Sequence, residues 1–119
     1  YKQCQRDCIN SLKFLKPTGI ILLHDLIPQN ADEEYVPQRT KTWTGDVWKV
    51  AVELNMSKNL EFRIVNVDHG VGLLKKKKNY KYKAINELRD KRFNFFYNKH
   101  YPKLPIISSE EGMKFIDSK

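Results

Sequence analysis

The sequence has few cysteines, few glycines and no long apolar run. No stretch approaches the ~20 apolar residues that a membrane-spanning helix needs, so we expect no membrane span. The first residues, from Tyr1 to Cys4, lack the apolar core of a signal peptide, and Tyr1 is not an initiator methionine. We therefore expect that these 119 residues begin inside a longer protein.

Cysteine is present only twice, as Cys4 and Cys8, four positions apart on a predicted helix. Two cysteines so close in the chain make a poor disulfide framework. No second Cys/His pair has the spacing that a zinc site needs. Low cysteine content of this kind is typical of a reducing compartment, so we expect a cytoplasmic protein.

What is present suits one folded domain, since 40% of the residues are hydrophobic and 30% are charged. The formal net charge of +8 is unevenly placed. Residues 1–70 carry nine basic and nine acidic side chains, whereas residues 71–119 carry thirteen against five. The positive charge therefore belongs to the second part of the chain.

The most informative stretch is a run of four branched aliphatic residues, 20–23, that follows Gly19 and ends at His24-Asp25. A run without polar alternation predicts a strand that is buried on both faces, as in parallel sheets covered by helices. In such sheets the ligand crevice lies outside the carboxyl ends of the strands. His24 and Asp25 would then border a crevice.

The other predicted elements follow from periodicity and from turn residues. A helix is predicted at the amino terminus, and a second helix begins at Thr44 as its N-cap. Two strands joined by a glycine-bearing turn predict an antiparallel hairpin. A basic, mainly helical segment comes last, with Ser108 or Ser109 as the N-cap of its final helix. The predicted helices span 1–15, 44–56 and 84–97, the long loop spans 26–44, and the hairpin strands span 60–66 and 71–75.

Three motifs carry a resemblance to a known family: residues 15–25, then Gly-Asp-Val-Trp-Lys at 45–49, then Asp-His-Gly-Val-Gly at 68–72. In this order they resemble the C-terminal half of class I S-adenosylmethionine-dependent methyltransferases. The similar branch includes bacterial sugar and natural-product O-methyltransferases. The resemblance covers residues 1–76, and residues 77–119 form a basic, mainly helical tail outside it.

The resemblance implies an α/β fold with a partial Rossmann-like sheet flanked by helices. The strand at 19–24 would be the fifth of seven, and the hairpin would supply the sixth and the antiparallel seventh. The cofactor S-adenosylmethionine would be held by a glycine-rich loop, and the chain contains no Gly-x-Gly-x-x-Gly. We therefore expect the parent protein to methylate a small-molecule or sugar hydroxyl and the isolated chain to be inactive.

His24 and Asp25 are the predicted catalytic residues. Histidine exchanges protons near neutral pH and can act as a general base for a hydroxyl, or it can orient other groups at a strand end. In related catechol-type enzymes an acid at the position of Asp25 holds Mg²⁺ beside the substrate hydroxyl. The alternative is a structural acid that caps a turn.

Trp43 and Asp46 are the predicted substrate-binding residues. Trp43 can wall the pocket, while Asp46 can equally be an acid at a helix start. Trp48 fits a core position better, and His69 fits an exposed turn.

Two other functions stay open. The basic tail interleaves lysine with tyrosine and phenylalanine, a pattern that can bind nucleic acid or an anionic membrane surface, or that can be a solvated connector. A metal-dependent hydroxylase is a third interpretation. We also expect a homodimer, because a sheet with so few strands leaves the edge of the strand at 19–24 unpaired.

Overall fold

The structure, a computed structural model, describes residues 1–28 and 46–118. It is a mixed α/β fold in which helices flank a mixed four-strand sheet, as the α/β prediction requires. The helices are α1 (Lys2–Phe14), α2 (Trp48–Met56) and α3 (Ser109–Asp117). The strands are β1 (Ile21–Leu23), β2 (Lys58–Val65), β3 (Val71–Lys81) and β4 (Ile106–Ile107).

The strands lie in the order β1-β3-β2-β4. β3 is antiparallel to both β1 and β2, whereas β4 is parallel to β2. The predicted antiparallel hairpin is therefore confirmed. β1 and β2 run in the same direction because each is antiparallel to the strand between them.

Side-chain alternation along the strands separates two faces. On one face Phe62, Ile64 and Leu74 join the hydrophobic core with α1 and α2. On the other face Val65 and Leu73 lie next to Gly112 of α3. The core is thus built between the sheet and the two earlier helices.

The prediction that the aliphatic strand is buried on both faces is wrong. Leu22 of β1 is 55% exposed, while its neighbours Ile21 and Leu23 pack against the core. α3 covers the sheet face of Leu22 only in part, so one side of this strand faces solvent in the described chain.

Most predicted helices are confirmed, and one is not. The final helix begins at its Ser108 N-cap, whose hydroxyl accepts from the Glu111 N–H in a capping box. The continuous helix predicted over 84–97 is absent. Short turns replace it, because residues 93–98 combine aromatic and asparagine side chains with modest helix propensity. These turns are Asn86–Asp90 and Tyr101–Lys103 (3-10), Phe93–Phe95 (α) and Phe96–His100 (π).

β3 is longer than predicted and continues to Lys81, so the lysine run at 75–78 lies within a strand. β4 and α3 pack on the same sheet as the earlier elements. The division into residues 1–76 and 77–119 stays a prediction. The predicted loop over 26–44 and the Thr44 cap lie mostly outside the described residues.

Candidate functional site

The two predicted catalytic residues lie directly after β1. The His24 side chain is exposed and that of Asp25 is half-buried. Asp25 adopts a φ of 58°, in the left-handed region that few residue types tolerate. Aspartate is one of those types, because its short polar side chain bonds locally. The strand therefore ends in a sharp turn that leaves His24 accessible to a ligand.

This turn meets the hairpin turn of the third motif. The Leu26 N–H donates to the Gly70 carbonyl oxygen at 3.2 Å, and the Ile27 N–H donates to the His69 carbonyl oxygen at 2.7 Å. Two motifs that are far apart in sequence are thus joined by backbone hydrogen bonds. His69 itself has a φ of 62° and its side chain is half-buried.

The glycines of the third motif make this contact possible. A Cβ on Gly70 would lie 2.7 Å from Ile27 Cγ1, and Gly70 has a φ of 89°. A Cβ on Gly72 would lie 2.6 Å from Leu26 Cδ1. The sequence analysis missed the role of Leu26 and Ile27, which are buried and anchor the chain after Asp25. Their apolar character directly after a polar pair is the signal that could have shown it.

A groove of about 400 Å³ lies between α1 and β1, and His24 lines it. Cys4 and Asp7 line it from α1, and Val47 lines it next to Asp46. Burial raises the pKa of the Cys4 thiol, so this group is a poor nucleophile at neutral pH. The groove places His24 and the start of α2 on one accessible surface.

The Gly-Asp-Val-Trp-Lys motif is only partly described, since Trp43 and Gly45 lie outside the described residues. Trp48 is fully buried and packs on Phe96 with ring centroids 4.8 Å apart, as a core residue does. Asp46 accepts from the Tyr1 backbone nitrogen at 2.9 Å and lies 3.4 Å from Lys49 Nζ. A role of Trp43 or Asp46 in substrate binding stays a prediction.

A buried acid that the sequence analysis missed organises the helices behind the groove. The Glu53 carboxylate is fully buried and accepts from Tyr1 Oη at 2.7 Å and Tyr82 Oη at 2.6 Å. It also accepts from Gln5 Nε2 and from the Ile85 N–H. Donors from two chain segments, residues 1–5 and 82–85, meet at this carboxylate. The sequence analysis missed it because a buried acid on a helix does not follow the apolar periodicity.

Two of the four clustered lysines hold helix ends. Lys76 Nζ donates to the Leu12 carbonyl oxygen at 2.8 Å, in the last turn of α1. Lys75 Nζ donates to the Ser118 carbonyl oxygen at 2.7 Å, directly after α3. Adjacent strand residues point to opposite faces, so each lysine reaches a different helix. Lys77 pairs with Glu61 at 3.3 Å, and Lys78 is exposed.

The donor set for a metal is incomplete in the described part of the chain. Within residues 1–28 and 46–118 no three His, Cys, Asp or Glu side chains cluster to hold an ion. Asp25 supplies one carboxylate, whereas Mg²⁺ needs near-octahedral oxygen coordination. The described residues alone do not complete the ligand set that Mg²⁺ needs, so the metal role of Asp25 stays a prediction and no chemical step is assigned to a metal.

Comparison of the chain with protein-family models, with curated proteins and with solved structures finds no match. None of the helices in the described ranges is both long enough and apolar enough to cross a membrane. Both cysteines are free thiols.

Proposed function

We propose that this chain is the acceptor-side part of an S-adenosylmethionine-dependent O-methyltransferase that acts on a small-molecule or sugar hydroxyl. The observation that carries the proposal is the junction of the His24-Asp25 turn with the Asp68-His69-Gly70 turn. This junction unites two of the three motifs of the resemblance at the carboxyl end of β1, where α/β sheets bind ligands.

The strand directions add support. β3 is antiparallel and lies between β1 and β2, which run in the same direction. The resemblance assigns these strands as the antiparallel seventh, the fifth and the sixth of a Rossmann-like sheet. That finer assignment is part of the proposal, since an α/β fold alone does not specify a function.

The roles proposed for the residues follow from their exposure. A hydroxyl loses a proton when its oxygen gains a methyl group, and exposed His24 would accept that proton as a general base. Half-buried Asp25 would hold the hydroxyl or the imidazole in place. S-adenosylmethionine supplies the methyl group, and since the chain has no Gly-x-Gly-x-x-Gly, residues outside these 119 would bind it.

The test uses the natural polypeptide that carries this chain. Calorimetric titration with S-adenosylhomocysteine should show binding, and labelled methyl transfer to a panel of sugars and phenols should identify the acceptor. Absence of binding in that polypeptide would overturn the proposal.

Three variants test the assigned residues in the same transfer assay. His24→Gln should lower turnover at least a hundredfold, in line with the usual contribution of general base catalysis. Asp25→Asn should also lower it, and this substitution keeps a residue that tolerates the left-handed backbone. His69→Asn is the matched control, because it changes a nearby histidine whose φ of 62° is similar to that of Asp25. Full activity in both site variants would remove the assignment of the site.

A homodimer of the isolated chain is part of the proposal. Among the described residues no strand pairs with the outer edge of β1, and Leu22 is exposed beside it. Such edges tend to pair with another chain. Sedimentation equilibrium should show a dimer, and a monomer at all concentrations would contradict it.

Two free thiols suit the cytoplasmic location that we propose.

The alternative function, nucleic-acid binding by the basic tail, has weaker support. Lys75 and Lys76 are engaged with helix carbonyls, so the lysine run offers fewer free charges than its sequence indicates. Binding of RNA or DNA that maps to residues 75–99 and weakens steeply with salt would favour this alternative.

A further inference from the structure

A second cavity lies between α2 and the basic tail, away from the groove at His24. Its volume is about 490 Å³, within the range of small-molecule sites. Core residues form an apolar floor, including Val52, Leu88 and Leu104, which are buried. The Phe95 ring forms part of the wall. The cavity can therefore accept an apolar body of moderate size.

The rim of this cavity is cationic. Four lysines line it, together with His100 and a single acid, Glu87. Within residues 1–28 and 46–118 none of the four ammonium groups lies in an ion pair. The formal excess of positive charge around one apolar floor is unfavourable without a counter-charge. The four lysines are Lys83, Lys91, Lys99 and Lys103.

The positive charges are concentrated around one aromatic ring. Lys91 Nζ lies 4.9 Å and Lys99 Nζ lies 5.2 Å from the Phe95 ring centroid. The His100 ring centroid is 5.2 Å from the same ring. Burial lowers the pKa of His100, and the nearby charges of Lys99 and Lys103 lower it further. A dianion bound here would contact several donors at once.

We propose that this cavity binds an organic phosphate of mononucleotide size, with the phosphate at the lysine rim and an apolar ring on the floor. A phosphate dianion matches the excess charge better than a carboxylate does, and lysine binds phosphate as a point charge. The apolar floor distinguishes such a ligand from free inorganic phosphate. This site is independent of the proposed methyl transfer.

The experiment titrates the 119-residue chain with adenosine monophosphate, adenosine and inorganic phosphate by NMR. Adenosine monophosphate should bind at least tenfold more tightly than either of the other two probes. The largest shifts should occur at Phe95 and His100. Equal affinity for adenosine monophosphate and inorganic phosphate, or shifts elsewhere, would overturn the proposal.

Two double variants with the same change in net charge separate the cavity from general attraction. Lys99→Gln with Lys103→Gln removes two rim charges, whereas Lys77→Gln with Lys78→Gln removes two charges of β3 that lie outside the cavity. The first pair should weaken binding at least tenfold and the second less than twofold. Equal weakening by both pairs would overturn the proposal.

A single-stranded oligonucleotide is the competing macromolecule. The cavity proposal fails if the oligonucleotide binds more tightly than adenosine monophosphate and the two double variants weaken oligonucleotide binding equally. That result would show that the basic surface as a whole binds nucleic acid. Phe95→Leu tests the aromatic part of the wall, and it should weaken the binding of adenosine monophosphate while thermal unfolding confirms a folded chain. Unchanged affinity in the folded variant would also count against the site.

Discussion

Lys76 Nζ donates a 2.8 Å hydrogen bond to the Leu12 carbonyl oxygen, so β3 holds the last turn of α1. Carbonyls at a helix end have no partner within the helix, and a cation there also suits the helix dipole. At least one lysine of the run at 75–78 therefore has a structural function.

Replacing Lys76 by methionine should lower the free energy of unfolding by about 1 kcal/mol, since it removes a charged hydrogen bond and keeps most of the apolar stem. Lys78→Met is the matched control on the same face of β3, and it should change stability by less than about 0.5 kcal/mol. Urea unfolding measures both. Equal effects would show that the hydrogen bond contributes nothing.

Glu53→Gln should destabilise the protein by about 3 kcal/mol, because an amide nitrogen would replace an acceptor that faces only donors. Tyr82→Phe removes one of those donors and should cost about 1 kcal/mol. Denaturant unfolding of the two single variants and the double variant gives the coupling between them. Strict additivity would contradict a shared network.

Stability should fall on the alkaline side of pH 9. Burial raises the pKa of the Cys8 thiol from 9.0 to about 12, and burial with the Glu53 hydrogen bond raises the pKa of Tyr82. A group whose pKa is higher in the folded state stabilises fully below its unfolded pKa and loses that contribution as pH rises. Above its unfolded pKa, each such group lowers the free energy of unfolding by up to about 1.4 kcal/mol per pH unit.

Urea midpoints at pH 7, 9 and 10 test this dependence on the unmodified chain and on Cys8→Ala. The alanine variant should show a smaller decrease between pH 9 and 10, although it is less stable at neutral pH. An identical decrease in both proteins would show that ionisation of Cys8 does not oppose folding.

Gly72→Ala should destabilise by about 1 to 3 kcal/mol, because the added methyl group would lie 2.6 Å from Leu26 Cδ1. Leu26→Ala alone should cost about 2 to 5 kcal/mol through the cavity that it leaves. The double variant should lose less than the sum, since each change makes room for the other. Additive losses by thermal unfolding would show that the two residues do not compete for space.

The sequence predicted those parts of the fold that depend on local signals. The first helix, the capping box at Ser108 and the hairpin all follow from periodicity or turn residues within a short window. Even β1 and the polar pair after it were located correctly. The exposure of Leu22 was not predicted, because burial of the second sheet face depends on how much of that face α3 covers.

Features that depend on distant segments could not be predicted. The length of β3 was missed since its lysines are hydrophilic, and only their pairing with β2 and the helix carbonyls makes a strand there. The junction of Leu26 with Gly70 needs two turns from separate parts of the chain. The packing of Phe96 on Trp48 likewise joins separate parts of the chain, and no local pattern encodes it.

The opposite orientations of Lys75 and Lys76 have a chemical consequence. An amine whose protons are directed at carbonyl oxygens is shielded from acylating reagents, whereas Lys78 is open to them. Brief acetic anhydride treatment followed by peptide mass spectrometry should therefore distinguish neighbours that are identical in sequence. Forced acetylation of the shielded pair would release one helix end on each side of the sheet.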